Sequence, residues 1–107
     1  MSNSLFINGV WLQGSGATFE KTNPVDNQTV WSGAEATAAD VEQACQAART
    51  AFPAWARLPL AERVAIVEKF AALLEENKKH LAEVISQETS KPFCETLTEV
   101  QSMYGKG

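Results

Sequence analysis

Two cysteines and one histidine are the side chains of this 107-residue chain best suited to nucleophilic or metal chemistry. A catalytic thiol needs a base or a positive field beside it, because the thiolate is the reactive form. Lys91 is close to Cys94 in sequence, but His80 lies fourteen positions upstream. The pattern therefore does not favour a catalytic Cys94, and one histidine among scattered carboxylates does not predict a zinc site.

The other two groups have structural interpretations. Cys45 falls on the apolar face of a predicted helix, and free cysteine is among the most buried residue types, so we expect a small core residue. His80 follows Lys78 and Lys79 on what should be a solvent-facing stretch. Two cysteines do not make a disulfide framework.

The most informative segment is Glu88-Thr89-Ser90-Lys91-Pro92, which follows an amphipathic helical run. The residue before a proline is pushed out of the helical region, so the helix is predicted to end here. Glu88 lies in the last turn, where a negative charge faces the unfavourable end of the helix dipole. Its position indicates a compensating partner.

Composition limits the kinds of partner. Hydrophobic residues make up 45% and charged residues 21%, as in ordinary globular proteins, and the net charge is −4. A negative chain is a poor match for nucleic acid or an anionic membrane surface. The sequence has no apolar run long enough to span a membrane and no basic-then-apolar leader at its N-terminus. We expect a cytoplasmic protein.

Short strands are predicted first. Residues 5–13 are predicted to form two short strands joined by Asn8-Gly9, because this dipeptide between apolar runs is the strongest short-range hairpin signal. Residues 17–22 and 28–33 are two further strand candidates, separated by a turn at residues 23–27. Together they predict an N-terminal β-meander.

Helices follow the strands. Thr37 and Asp40 have the spacing of a capping box at the start of the first helix, which Pro53 should kink or end near Ala51. A second long helix begins near Pro59, with one apolar stripe through to Ile85. A third starts at Phe93 or Cys94.

The fold class that results is α+β, with two long amphipathic helices and a truncated third. The third helix has an apolar stripe and little to cover it, so the chain is expected to be a piece of a larger domain.

Several of these elements resemble, in order, the N-terminal portion of the aldehyde dehydrogenase superfamily. They are Asn23-Pro24, Ala39-Asp40-Val41, Ala47-Ala48-Arg49, Ala51-Phe52 with Trp55, Glu62-Arg63, Glu88-Thr89-Ser90-Lys91-Pro92 and Glu99-Val100. A finer likeness is to the bacterial subfamily that oxidises N-succinylglutamate 5-semialdehyde in arginine catabolism. It rests on Leu5-Phe6-Ile7-Asn8-Gly9, Asn23-Pro24-Val25, Val30-Trp31-Ser32-Gly33 and Phe70-Ala71-Ala72-Leu73-Leu74-Glu75.

The resemblance implies NAD(P)-dependent oxidation of an aldehyde, with NAD as the expected cofactor, in a homo-oligomeric enzyme. Residues 1–107 would be the start of the family's α/β fold, an incomplete part of its cofactor-binding domain region. The family's catalytic cysteine and glutamate and its glycine-bearing cofactor motif lie downstream of this segment. We therefore expect these 107 residues by themselves to be inactive.

Two sites are implied in part. A monovalent cation would take the carbonyl of Thr22 and the carboxylate of Glu88, since hard cations prefer oxygen ligands. The helix after Pro92 would offer Glu99, Ser102 and Met103 to the substrate tunnel. From spacing alone, Glu88 is an ordinary residue of a last helical turn, Glu99 is solvated and Met103 packs in the core. Glycine is usual in the family where this chain has Ser90, so either Ser90 adopts a left-handed conformation or the turn differs.

A different class of function remains open. The chain could be a small structural or interaction module whose apolar helix stripe pairs with itself or with a partner. An acidic module that binds a basic partner is a third interpretation, based on the net charge alone.

Overall fold

A computed structural model describes residues 2–106, and over that range the chain has four strands followed by four helices. The strands are β1 Leu5–Ile7, β2 Val10–Leu12, β3 Thr18–Thr22 and β4 Thr29–Ala34, and the helices are α1 Ala38–Arg57, α2 Leu60–Glu76, α3 Lys78–Thr89 and α4 Phe93–Gly105. The predicted fold class, short strands followed by amphipathic helices, is confirmed. No helix in the described range is long and apolar enough to cross a membrane.

The chain forms two compact units. The first contains residues up to Thr22 together with Thr29–Arg57, and the second contains Asn23–Gln28 together with the residues from Leu58 onward. All four strands and α1 belong to the first unit, whereas α2, α3 and α4 belong to the second.

The first hairpin forms where the sequence predicts it. Asn8 and Gly9 have φ values of 52° and 79°, the pair of positive angles that a type I′ turn requires. Leu5 then pairs with Leu12 in antiparallel register. Across the hairpin, the Phe6 and Trp11 rings pack with their centroids 5.0 Å apart.

The predicted meander is wrong, because the described strands form two separate two-stranded sheets. The segment after β2 leaves the first ribbon and runs along the end of the second. The Gly16 N–H donates to the Glu35 carbonyl at 2.8 Å, and a Cβ on Gly14 would lie only 2.3 Å from that same oxygen. Gly14 is therefore needed for this close backbone approach, which replaces pairing of β2 with β3.

Helix α1 begins as predicted and ends later than predicted. Thr37 N–H donates to Asp40 Oδ2 at 2.9 Å and Asp40 N–H to Thr37 Oγ1 at 3.4 Å, so the capping box is confirmed. The helix does not stop near Ala51; it continues through Pro53 to Arg57. A proline removes one intrahelical donor, here the one that would bond the Arg49 carbonyl, and the helix continues on both sides of this single lost bond. Arg57 Nε in the last turn donates to the Pro53 carbonyl at 3.1 Å.

The prediction that Cys45 lies in the core is also wrong: its side chain is exposed. The half-buried positions nearby are Ala44 and Ala47. Cys45 is offset from Ala44 by about 100° around the helix, which is enough to turn it away. No residue of α1 is fully buried.

The predicted second helix is two helices, broken at Asn77. The apolar pattern continues across this point, but the Leu73 carbonyl accepts from both the backbone N–H of Asn77, at 3.1 Å, and its side-chain Nδ2, at 2.8 Å. A side chain that competes for backbone carbonyls disfavours a helix interior. The asparagine itself was the sequence signal for this break.

Candidate functional site

The candidate site begins at the corner between α3 and α4. Ser90 has φ 64° and ψ 15° and therefore adopts the left-handed conformation, the first of the two alternatives that the sequence left open. Its N–H donates to the Ser86 carbonyl at 2.9 Å. On either side, Thr89 Oγ1 donates to the Ile85 carbonyl at 2.7 Å and accepts from the Lys91 N–H at 3.3 Å. A serine therefore occupies a conformation that costs a non-glycine residue on the order of 1 kcal/mol.

A hydrogen bond between the half-buried Ser86 hydroxyl and the fully buried Thr96 hydroxyl joins α3 to α4. Ser86 Oγ and Thr96 Oγ1 lie 2.9 Å apart, and Thr96 Oγ1 also bonds the Phe93 carbonyl at 3.0 Å. Thr96 is fully buried, as are Val100 and Ala82. A buried hydroxyl must keep its partners, because leaving it unpaired is costly. The corner is consequently held by packing as well as by its turn.

Lys91 reaches forward to α4, where its ammonium group pairs with the Glu99 carboxylate. Both side chains are partly exposed, at 48% and 39%. The hydrogen bond that Lys91 donates to Glu99, and then the negative charge of Glu99, raise the pKa of Lys91 above its ordinary value, and the charge of Glu95 adds to the effect. Because the residues are eight positions apart across a turn, no helical spacing predicts this pair.

The three predicted tunnel residues share one side of α4. Glu99, Ser102 and Met103 have the i, i+3, i+4 spacing of a single helix face. Ser102 Oγ bonds the Thr98 carbonyl at 3.2 Å, and Met103 is 49% exposed. The core interpretation of Met103 is therefore wrong, and Glu99 is ion-paired rather than simply solvated. A tunnel role for this face stays a prediction.

The two predicted cation ligands belong to different units. Thr22 is the exposed last residue of β3, just after an irregularity in the register between Lys21 and Thr22, and it pairs with Thr29. Glu88 is half-buried in the last turn of α3. The cation site therefore stays a prediction.

A second polar cluster, not foreseen in full, lies at the start of α1. Asp40 Oδ2 accepts from the Ser15 N–H at 3.0 Å and from Ser15 Oγ at 2.6 Å, in addition to its bond with Thr37. These bonds, above all that of the Ser15 hydroxyl, lower the pKa of Asp40 from 3.8 to about 2. The Gly14-Ser15-Gly16 sequence was the available signal, but only the fold brings Ser15 to the cap.

The remaining candidate groups are accessible. Cys94 lies in the first turn of α4 and is exposed, and His80 is exposed near the start of α3, as its lysine-rich surroundings predicted. The non-catalytic interpretation of both residues stays a prediction.

Comparison with known proteins adds the family context. The model of the aldehyde dehydrogenase family matches residues 11–106. The N-succinylglutamate 5-semialdehyde dehydrogenase of Serratia proteamaculans (strain 568) is 63% identical over 103 residues. That match covers 96% of this chain, which spans only 21% of the length of the relative.

Solved structures share the fold. An NAD-dependent benzaldehyde dehydrogenase from Corynebacterium glutamicum matches with a TM-score of 0.89 and 31% identity, over 94% of this chain and 22% of its own. An NADP-dependent glyceraldehyde-3-phosphate dehydrogenase from Bacillus halodurans matches with a TM-score of 0.90 and 27% identity, over 98% of this chain and 22% of its own.

Proposed function

The chain belongs to the aldehyde dehydrogenase family, and we propose that it is the N-terminal part of an enzyme that oxidises N-succinylglutamate 5-semialdehyde to N-succinylglutamate with NAD. One observation supports the substrate above others. Identity is 63% with the Serratia relative of that name, against 31% and 27% with the family members named for benzaldehyde and glyceraldehyde 3-phosphate.

The proposed chemistry follows the family. In the family reaction a cysteine thiolate would attack the aldehyde and NAD would supply the hydride acceptor, and the residues that provide the thiolate and bind NAD would lie in polypeptide outside these 107 residues. The proposed contribution of this chain is to position and to bind. Thr22 and Glu88 would hold a monovalent cation, and Glu99, Ser102 and Met103 would form part of the tunnel wall.

The ion pair between Lys91 and Glu99 supports the proposal that this chain positions and binds. Lys91 and Glu99 connect the segment that holds Glu88 to the proposed tunnel face of α4. A displaced corner between α3 and α4 would therefore disturb both proposed sites together. NAD is proposed as the cofactor by resemblance, and because the matched structures include both an NAD and an NADP enzyme, assays should supply each nucleotide separately.

A chimera tests the proposal. This chain replaces the matching segment of the Serratia relative, and NADH formation is followed by absorbance with N-succinylglutamate 5-semialdehyde as substrate. We expect kcat/KM within about tenfold of that relative, a loss of less than about 1.4 kcal/mol in transition-state stabilisation. The 107-residue chain assayed alone should form no NADH.

The matched control is the same replacement in the Corynebacterium benzaldehyde dehydrogenase, assayed with benzaldehyde. With 31% identity, the segment should support that activity much less well. Equal retention of activity in both chimeras would leave family membership in place and remove the substrate assignment. A folded but inactive Serratia chimera would contradict the proposal.

A further inference from the structure

Helix α2 has an apolar surface wider than its neighbours cover. Six large apolar side chains of this helix are between 43% and 67% exposed, and none of its residues is buried: Leu60, Val64, Ile66, Val67, Phe70 and Leu73. Within the second unit, α2 packs against α4, and its half-buried apolar positions are Ala71 and Leu74. Most of the apolar surface of α2 is therefore exposed to solvent.

The angular distribution shows how much is left over. At 100° per residue, the apolar positions of α2 span an arc of roughly 180°, which we call the α2 arc. A helix at the surface of a globular protein typically has an apolar stripe of about 100°. Most of the charged residues occupy the other half of the helix: Glu62, Glu68, Lys69, Glu75 and Glu76.

The α2 arc also contains little charge. Its one cation, Arg63, is half-buried and donates Nε to the Leu58 carbonyl at 3.2 Å. A partner for this surface therefore needs apolar side chains and no matching charge. Exposed contiguous apolar surface of this kind marks an interaction site.

We propose that the α2 arc is the docking surface for the catalytic remainder of the aldehyde dehydrogenase polypeptide, an inference that rests on the proposed function. We infer this occupant from the length of the related proteins. This chain spans 21% of the Serratia relative, and the same fold covers only 22% of each matched structure. In those proteins the matching helices belong to a chain about five times as long.

Cysteine labelling tests the proposal. Phe70→Cys places a thiol in the arc. Lys69→Cys, at the preceding residue of the same helix, places one about 100° away on the charged side. Each variant is made both in the 107-residue chain and in the Serratia chimera. Maleimide labelling of the α2 peptide is then timed by mass spectrometry. Ile66→Cys, also in the arc, is the second probe should Phe70→Cys disturb folding.

The proposal expects labelling at Phe70→Cys to slow by at least about tenfold in the chimera, with Lys69→Cys changed by less than about twofold. Equal rates at Phe70→Cys in the two proteins would overturn it. Protection already present in the 107-residue chain, and rising with its concentration, would identify a second copy as the occupant and would also overturn it. Protection does not depend on NADH formation, so an inactive chimera with a protected arc would contradict the proposed function alone.

Discussion

The start of α1 and the corner between α3 and α4 both join a helix to an irregular segment, yet different forces stabilise them. At the start of α1, a carboxylate gathers hydrogen bonds from Thr37 and Ser15 near the surface. At the corner, Thr96 and Val100 of α4 are fully buried, and Thr96 forms a hydrogen bond with Ser86 of α3. The first junction depends on hydrogen-bond geometry and charge, whereas the second has fully buried side chains in addition to its hydrogen bonds and ion pair.

The difference matters for the proposed sites. Glu88 and Glu99 lie on either side of the packed corner, so their separation is set by the buried contacts beneath them. The polar junction at α1 belongs to the other unit and contains neither residue. Substitutions in the two places should therefore have distinguishable effects on stability and on the proposed cation and tunnel sites.

The largest effect is expected at the corner. Val100→Ala removes fully buried methyl groups and should lower the free energy of unfolding by roughly 2 kcal/mol, from lost burial and the cavity left behind. Met103→Ala, in the same helix but 49% exposed, should change it by less than about 0.5 kcal/mol. Native-state hydrogen exchange of the α4 amides measures both. Equal losses would show that α4 is not anchored by its buried side.

The polar junction should be weaker. Thr37→Ala removes the N-cap hydroxyl and should cost about 1 kcal/mol, while Thr50→Ala in the exposed middle of α1 should gain a few tenths through helix propensity. All three tryptophans belong to the first unit, so their fluorescence during urea unfolding reports on this region. If Thr50→Ala cost as much as Thr37→Ala, the cap would have no special role.

Relief of strain at the corner should be a smaller effect of opposite sign. Ser90 has φ 64°, and glycine adopts this conformation without a Cβ penalty, so Ser90→Gly should stabilise by about 0.5–1 kcal/mol. Ser102→Gly, within α4, should instead destabilise by about 0.5 kcal/mol. Thermal unfolding followed by circular dichroism compares the two variants. If Ser90→Gly were destabilising, the serine side chain would stabilise the turn by more than its left-handed backbone conformation costs.

The smallest effect concerns protonation. The pKa of Asp40 is lowered to about 2 in the folded chain, so between about pH 2 and 3.8 the unfolded chain binds more protons and stability rises with pH. The contribution is complete above pH 3.8 and disappears as the pH falls through the folded value. Ser15→Ala should return the pKa towards 3.8, whereas Ser102→Ala should leave it unchanged. Carboxyl chemical shifts followed by NMR measure the pKa, and no change in Ser15→Ala would contradict the assigned cause.

Local features were readable from the amino-acid sequence because neighbouring residues determine them. The Asn8-Gly9 turn, the Thr37–Asp40 capping box and the helix start at Phe93 all follow from conformational preferences or hydrogen bonds that span a few residues. The ordered motifs likewise identified the family. The cation and tunnel residues remain predictions, since their remaining partners would come from other polypeptide.

Only the tertiary structure decided which surfaces meet. The apolar periodicity of α1 predicted a buried Cys45, whose side chain is exposed. The apolar periodicity of the next segment continues across Asn77, where the asparagine side chain bonds the Leu73 carbonyl and the helix breaks. The bond of Ser15 to Asp40 spans 25 positions, and the ion pair of Lys91 and Glu99 crosses a turn. Contacts between distant residues depend on how whole elements pack, and a pattern along one helix specifies a face without specifying what will cover it.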